Sequence, residues 1–336
     1  MSRPGRIKFP FRCCLFLAAG FVLFSIRTPH GATAQENPFA RSTERLETGQ
    51  SVELVEFKKP FIYAVQYSPT GSELGVIFRL GPPVIVDTKS WAIQRQLPGL
   101  RQIAFSPDGH TLATAEGRDG ARLWNRNDPA TSTNYLVPRP SEVIRDVEFS
   151  RSGAWIATAH EGGTISIWDA NSAMKVKDLQ GHSGAVLCVD FSEDGKLLYS
   201  GGSDSTIRVW DTETWQSVKV VDGPKSNAVI ALCVSFDGSA IASVNGKLGA
   251  MIWDTRTWKA SIQSGYTAVA AANKTKLFAL GGKDVLLTNG SRSSERHLTL
   301  GDPAKPIGVT AMSFTPDDQK LATGNLLGEL RVVSLK

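Results

Sequence analysis

Three side chains between Gly181 and Asp211 have the residue types of a hydrolase triad: His182, Ser200 and Asp204. In such a triad the histidine takes the proton of the serine hydroxyl, the carboxylate orients the histidine, and nearby donors hold the oxyanion. The same types also form buried hydrogen-bond networks that hold strands together. A nucleophile elbow, GxSxG, requires glycine at position 198, where the chain has Leu198. The sequence therefore favours a structural network over a catalytic one.

Other patterns for catalysis or metal binding are weak. Acidic residues cluster in turns such as FSEDG (191 to 195) and TPDD (315 to 318), where aspartate accepts backbone hydrogen bonds, and they lack the spacing of a calcium loop. CxxC and CxxCH do not occur, and the histidines after residue 34 are scattered, at 110, 160, 182 and 297. A glycine-rich phosphate loop is also absent. We expect no metal, no cofactor and no enzyme activity.

The first 34 residues have the pattern of a secretory signal peptide. Basic residues up to Arg12 precede an apolar run from Cys13 to Ile26, and Ala32-Thr33-Ala34 then predicts cleavage before Gln35. The apolar run is short for a bilayer span, which needs roughly 20 residues, and a retained N-terminal anchor is the alternative. We expect an extracytoplasmic protein, periplasmic or secreted, with no membrane span in the mature chain and a flexible lead-in over residues 35–50.

Cleavage changes the charge of the chain. Residues 1–34 hold five of the 37 Lys and Arg residues and none of the 32 Asp and Glu residues, so the net charge falls from +5 to zero. A nucleic-acid partner, which requires a basic surface, is therefore not expected. Of the four cysteines only Cys188 and Cys233 remain. Export permits a disulfide between them, and two small buried residues in neighbouring units are the alternative.

A repeat organises residues 51–336. Each unit opens with apolar positions and an anchor residue, aromatic in five units, and a tight turn follows in most of them. The anchors are 37 to 44 residues apart. The seven opening phrases are IYAVQYSPTG (62 to 71), LRQIAFSPDG (100 to 109), IRDVEFSRSG (144 to 153), VLCVDFSEDG (186 to 195), VIALCVSFDG (229 to 238), YTAVAAANKT (266 to 275) and VTAMSFTPDD (309 to 318).

Each unit then continues as short strands. A small-residue strand such as LATA (112 to 115) is followed by a strand such as ISIWD (165 to 169) or IRVWD (207 to 211). Three units next repeat DTKSW (87 to 91), DTETW (211 to 215) and DTRTW (254 to 258) at the entry to a fourth strand. Regular turn signals without a helical pattern predict an all-β fold of four-stranded meanders.

These units resemble WD40 repeats in the FSPDG turn (105 to 109), the LATG strand (321 to 324) and the Trp-Asp ending of the third strand. The resemblance implies a secreted, bacterial, seven-bladed β-propeller of antiparallel blades. It also implies that His182, Ser200, Asp204 and Trp210 form a hydrogen-bonded network inside one blade. The sixth unit lacks the aromatic anchor and the tryptophan. SVELVEF (51 to 57) matches the fourth-strand phrase SVKVVDG (217 to 223), so we expect the N-terminal strand to complete the seventh blade.

Two functions fit this organisation. The first is a monomeric, non-catalytic scaffold that binds a protein or an acidic peptide, and the alternative is an envelope enzyme or small-ligand binder that uses the channel mouth. First strands of WD40-like blades commonly bulge, and bulges re-aim side chains at rims. The arginines of this rim could bind a partner's carboxylates, or be solvated or paired with nearby acids. The candidate binding residues are Tyr63, Arg101, Gln102, Arg145, Asp146, Leu187 and Ile230.

Overall fold

The computed structural model describes residues 39–45, 51–57, 61–97, 102–126, 134–138, 143–298, 300 and 308–335. The predicted signal peptide, residues 1–34, lies outside the described residues. Within the part that is described, no helix is long and apolar enough to cross a membrane.

The strands form seven antiparallel sheets, one for each predicted unit. Two strands come first: β1 Phe39–Arg45 and β2 Ser51–Phe57. Blade 1 contains β3 Ile62–Tyr67, β4 Glu73–Phe78, β5 Val84–Asp87 and β6 Ile93–Gln96. Blade 2 contains β7 Gln102–Phe105, β8 Thr111–Ala115, β9 Gly120–Asn125 and β10 Asn134–Pro138. Blade 3 contains β11 Ile144–Phe149, β12 Trp155–His160, β13 Ile165–Asp169 and β14 Lys175–Leu179.

Blades 4 to 7 follow the same plan. Blade 4 contains β15 Val186–Phe191, β16 Leu197–Gly202, β17 Thr206–Asp211 and β18 Ser217–Asp222. Blade 5 contains β19 Val229–Val234, β20 Ala240–Asn245, β21 Gly249–Asp254 and β22 Ala260–Gln263. Blade 6 contains β23 Ala268–Ala271, β24 Phe278–Gly281, β25 Val285–Thr288 and β26 Arg296–Leu298, and blade 7 adds β27 Val309–Phe314, β28 Lys320–Asn325 and β29 Glu329–Ser334. Two short 3-10 helices span Gly117–Asp119 and Arg292–Ser294.

The blades stand in a closed ring. The first strand of each blade contacts the first strand of the next, and β27 of blade 7 contacts β3 of blade 1. The core lies between the blades, which is why the second strands carry small residues. At Gly201 in β16, for example, a Cβ atom would lie 2.4 Å from Val229 Cγ1 and 2.7 Å from Cys188 Sγ. The predicted all-β propeller of seven blades is confirmed.

The N-terminal strand closes the ring, as the sequence predicts. β2 pairs antiparallel with β29, with Val52 opposite Val333 and Val55 opposite Leu330, and so supplies the fourth strand of blade 7. Within the predicted lead-in, the structure describes residues 39–45, which form a fifth strand, β1, with Phe39 opposite Phe57, and the other residues of 35–50 lie outside the described residues. An added strand satisfies the backbone groups along the outer edge of β2, which would otherwise face solvent.

Candidate functional site

The structure brings His182, Ser200, Asp204 and Trp210 together inside blade 4. The Trp210 indole donates to Ser200 Oγ at 2.9 Å, and Ser200 Oγ lies 2.8 Å from His182 Nε2. His182 Nδ1 lies 3.0 Å from Asp204 Oδ2. Asp204 also accepts hydrogen bonds from the backbone N–H groups of Ser183 and Thr206. These distances match those of a catalytic triad, so access and protonation decide the role.

Burial favours a structural role for this set over a catalytic one. Desolvation lowers the pKa of His182 although the Asp204 charge opposes the effect, so the neutral imidazole is favoured. Neutral His182 accepts from the Ser200 hydroxyl at Nε2 and donates to Asp204 from Nδ1, which makes every link from Trp210 to Asp204 a donor–acceptor pair. Ser200 is fully buried, so a substrate carbonyl cannot approach its oxygen.

Four consecutive blades use the same tryptophan-to-hydroxyl hydrogen bond with different third partners. In blades 2, 3 and 5 the third partner lies two residues after the hydroxyl residue, on the same strand. The three sets are Trp124–Thr114–Glu116, Trp168–Thr158–His160 and Trp253–Ser243–Asn245. In blade 4 that position is Gly202, where a Cβ atom would lie 2.5 Å from His182 Nδ1. Glycine therefore leaves the space that His182 fills from the preceding loop.

Sequence reasoning missed Glu116, His160 and Asn245. The signal that could have identified them is a side chain with hydrogen-bonding capacity two residues after the Ser or Thr of the second strand. Residues two apart on a strand point to the same face, so the two side chains can meet. The Gly-His signature therefore marks one of several ways to complete the network.

The second group of predicted residues lies at the opening of the first strands. Register shifts consistent with β-bulges occur there in blades 1, 3, 4, 5 and 7. Tyr63 is 54% exposed, while Leu187 and Ile230 are half-buried. The guanidinium of Arg145 lies 2.7 Å from the Glu161 carboxylate, so this arginine is paired within its own blade. Arg101 lies outside the described residues.

Asp146 points away from the rim, and the half-buried Gln102 hydrogen-bonds to it. Asp146 is buried, and its carboxylate accepts hydrogen bonds from Val147 N and from Val189 N of the next blade, both at 2.9 Å. Burial raises its pKa to about 7, against the hydrogen bonds from the backbone and from the Gln102 side chain. The physical reason is that the bulge turns residue 146 between two blades rather than toward solvent. Asp146 thus links blades 3 and 4.

Apolar side chains beside Tyr63 were not foreseen. Leu80 is 71% exposed and Leu327 is 64% exposed, at the turns after β4 and before β29. Main-chain hydrogen bonds connect the two turns to Phe61, because Phe61 N donates to Leu326 O and Arg79 N donates to Phe61 O. Tyr63, Leu80 and Leu327 therefore lie at the same edge of blades 7 and 1, and we call them the blade 7–1 apolar surface. Exposed apolar groups in one place indicate interaction surfaces.

The cysteines and the metal-ligating residue types form no further site among the described residues. Cys188 and Cys233 are free thiols, in keeping with the alternative of two small residues in neighbouring blades. Burial raises the pKa of both thiols, which makes them poor nucleophiles. No group of three or more His, Cys, Asp or Glu side chains within the described ranges is arranged to hold a metal ion.

Comparison with known proteins agrees with the blade geometry. The WD domain, G-beta repeat family matches residues 136–169 and 174–211, which cover most of blade 3 and blade 4. The chain contains WD40 repeats. This WD40 propeller is 29% identical over 118 residues to the Protein LST8 homolog of Drosophila melanogaster, across 32% of this chain and 36% of that protein.

A second relative is the Anaphase-promoting complex subunit cdc20 of Dictyostelium discoideum. It is 29% identical over 64 residues, across 19% of this chain and 13% of that protein. The matched segments of this chain thus cover about a third of the first relative and a smaller part of the second. Both relatives come from eukaryotes, so the bacterial origin implied by the sequence resemblance stays a prediction.

Proposed function

We propose that this WD40 propeller is a non-catalytic platform that binds another protein through the face where the first strands begin. The observation that carries the proposal is the blade 7–1 apolar surface, since three large apolar side chains are exposed together beside a bulged strand. Tyrosine is a residue type enriched at binding hot spots. The cdc20 relative, by its name, is a subunit of a complex, which supports a role in assembly.

An acidic segment of a protein is the partner that suits this face. Tyr63 would pack against the segment, and Arg101 and Arg145 would bind its carboxylates. Arg145 already pairs with Glu161, but a planar guanidinium has five N–H donors and can hold a second carboxylate. Leu187 and Ile230 would contact an adjoining apolar side chain of the segment.

The test is cross-linked capture with the full chain as bait, followed by affinity measurement on the partner recovered. The variant combines Tyr63→Ala, Arg101→Glu and Arg145→Glu. We expect its affinity to fall at least about tenfold, or roughly 1.4 kcal/mol, because an apolar anchor is removed and two charges are reversed. Removal of the exposed Tyr63 side chain should change thermal melting little. Arg145→Glu sets a carboxylate against Glu161 and should lower the melting temperature, so affinity is measured well below the melting transition of the variant.

The matched control makes the same kinds of change on the opposite face. Phe236→Ala removes an exposed aromatic side chain and Arg256→Glu reverses an exposed charge, both in turns at the other end of the strands. The control should bind as the parent does. Equal affinity of the triple variant and the parent at low salt would place the partner elsewhere and end this assignment.

We also propose that the propeller works outside the cytoplasm after cleavage near Ala34. The basic, apolar and small-residue pattern of residues 1–34 supports export. Expression of the full chain in its source organism should yield an extracytoplasmic protein whose N-terminal residue is Gln35. Peptide sequencing that finds Met1 retained in a cytoplasmic protein would contradict the proposal, and Met1 retained in a membrane fraction would indicate an anchor instead.

A further inference from the structure

The outer edge of blade 4 is an uncovered β-strand. β18 is the last strand of its sheet, and in the described part of the chain no strand pairs with its outer side. Its residues are exposed except for Val221, which is buried. Val218 is 56% exposed and Val220 is 43% exposed. β18 therefore presents apolar side chains and an open backbone edge together at the outer circumference of the propeller.

The register of β18 fixes which of its backbone groups face outward. Gly223 N donates to Ser205 O at 2.8 Å, and the register shift of this strand pair lies before Lys219. In an antiparallel pair, residues that bond to the neighbouring strand alternate with residues that point away from it. Counting back from Gly223, Val220 and Asp222 are the residues that point away. Their N–H and C=O groups can therefore pair with one more strand.

The N-terminal strands show what covers such an edge elsewhere in this chain. β2, with the sequence SVELVEF, and the β18 phrase SVKVVDG share one pattern, and both strands are the fourth of their blade. The outer edge of β2 is covered, because β1 pairs with it antiparallel over 7 residues. Val52 and Leu54 of β2 are buried, whereas their counterparts in β18 are the exposed Val218 and Val220. β18 thus resembles β2 without its fifth strand.

The other fourth strands are less suited to an added strand. Short edge strands, charged side chains and proline all discourage edge pairing. β6 and β22 have 4 residues each, and β26 has 3. β10 ends in Pro138, and β14 carries Lys175, Lys177 and Asp178 among its 5 residues. β18 has 6 residues, of which three are valine. Among the fourth strands without a described fifth strand, β18 is therefore the best acceptor.

We propose that β18 binds an extended segment of another protein as a fifth strand of blade 4, with apolar side chains opposite Val218 and Val220 and an acidic side chain opposite Lys219. The segment runs antiparallel to β18, as β1 does to β2. Backbone hydrogen bonds hold the segment, and side-chain pairs across the two strands select it. The inference goes beyond the proposed function, because blade 4 lies on the far side of the ring from blades 7 and 1.

Charges along the edge determine which segment fits. Lys219 is exposed where the covered strand β2 has Glu53, so a carboxylate is its matching partner. Asp222 is exposed at the end of the strand and is matched by a cation. In antiparallel order the segment reads Lys-Thr-Val-Glu-Val. Its lysine lies opposite Asp222, its first valine opposite Val220, and its glutamate opposite Lys219.

A second copy of this chain fits the edge less well. Pairing of two β18 strands about Val220 would place Lys219 beside Val221 of the other copy. Asp222 would then lie beside Val218, so neither charge would have a partner. Pairing about Lys219 would set two lysines against each other, and like charges directly opposite are destabilising. The side chains of β18 therefore favour a segment of a different protein.

The first test adds the peptide N-acetyl-Lys-Thr-Val-Glu-Val-Thr-amide to the isotope-labelled full chain and follows hydrogen–deuterium exchange by NMR. Near saturation with the peptide, we expect the amide protons of Val220 and Asp222 to exchange about tenfold more slowly, because each now donates a hydrogen bond. Amide protons on the fourth strand of blade 5 should exchange at the same rate with and without the peptide.

Two N-methylated peptides give a matched comparison without any change to the protein. In the proposed alignment the N–H of the first valine points to β18, and the N–H of the glutamate points away. Methylation at the valine nitrogen should weaken binding at least about tenfold, because it removes a hydrogen bond and places a methyl group against the strand. Methylation at the glutamate nitrogen should leave the affinity close to that of the unmodified peptide.

Two proline variants of the propeller distinguish blade 4 from its neighbour. Val220→Pro removes an N–H that makes no bond to β17, so the blade should fold while peptide binding is lost. Ile262→Pro is the matched control on β22 of blade 5. Ile262 is 56% exposed, and by its register its N–H also points outward. Peptide binding should persist in this control, and if Val220→Pro does not fold, the methylated peptides decide.

A charge reversal examines the side-chain pairing. The parent should favour the glutamate peptide about two- to fivefold over a peptide with lysine in place of the glutamate. Lys219→Glu, which copies Glu53 of β2, should reverse that preference. The same preference in Lys219→Glu as in the parent would contradict the proposed alignment.

Three further results would overturn the inference: no binding of the peptide, equal effects of the two N-methyl groups, or dimerisation of the chain that Val220→Pro abolishes, which would assign the edge to a second copy. Failure here can be told apart from failure of the proposed function. The triple variant at Tyr63, Arg101 and Arg145 should bind the peptide as the parent does. Val220→Pro should leave partner binding at the blade 7–1 apolar surface unchanged.

Discussion

Val55→Asp is expected to lower the free energy of unfolding by about 3 kcal/mol or more, enough to unfold a marginal propeller. Val55 is fully buried in β2 and faces a core cluster shared by blades 7 and 1. An aspartate there has to lose its hydration without a partner or take up a proton. Because β2 is the strand that completes blade 7, the substitution destabilises closure of the whole ring.

Val218→Asp is the matched control. It makes the same chemical change on the fourth strand of blade 4, where the side chain is 56% exposed. We expect its melting temperature to stay close to that of the parent. Chemical denaturation of both variants gives the comparison, and a Val55→Asp protein as stable as the Val218→Asp protein would show that β2 does not close the ring.

The blades were predictable because each repeat contains its own local signals. The anchor aromatic, the tight turn and the Trp-Asp strand ending lie within one unit, so each meander follows from neighbouring residues. Closure by β2 was also predictable, since SVELVEF resembles a fourth strand. The structure adds β1, which the sequence did not indicate because FARSTER has no counterpart in the other units.

The site was less predictable because it depends on contacts between blades. Leu80 and Leu327, for example, are far apart in the sequence, and their turns come together only when the ring closes. Asp146 was expected at a rim because its bulge was recognised, but the direction of its side chain depends on Val189 in the next blade. The sequence left open whether Arg145 is solvated, paired with a nearby acid or available to a partner, and in the structure it pairs with Glu161.

Closure also explains the place of the blade 7–1 apolar surface. At this boundary the two ends of the described propeller chain meet, so packing joins segments that are not consecutive repeats. On the face where the first strands begin, this boundary exposes Tyr63, Leu80 and Leu327. A departure from consecutive repeats thus coincides with the blade 7–1 apolar surface.

His182→Ala is expected to destabilise the propeller by about 1–3 kcal/mol, because it leaves the buried Ser200 hydroxyl and the Asp204 carboxylate without their partner. Gly202→Asn should destabilise the propeller by a similar amount, because it adds atoms where the blade has no space for them. The new Cβ would lie 2.5 Å from His182 Nδ1 and 2.6 Å from Asp204 Oδ1, so the blade is overpacked.

The double variant His182→Ala/Gly202→Asn should recover much of the loss. Blade 5 shows why: Ser243 donates to Asn245 two residues later, at 2.5 Å, while Trp253 donates to Ser243. In blade 4 the new asparagine would accept from Ser200, and its amide could donate to Asp204. Removal of the imidazole relieves the clash with His182, and it leaves space into which the Asp204 carboxylate, 2.6 Å from the new Cβ, can shift.

Chemical denaturation of the parent, the two single variants and the double variant gives the coupling energy. We expect the double variant to be more stable than the sum of the two losses predicts, by at least about 1 kcal/mol. Additive losses would mean that Gly202 and His182 do not share one space, and the interpretation of the blade 4 network would then be wrong. An unchanged stability of His182→Ala together with loss of a hydrolytic activity would instead restore the catalytic reading of His182, Ser200 and Asp204, which the burial of Ser200 argues against.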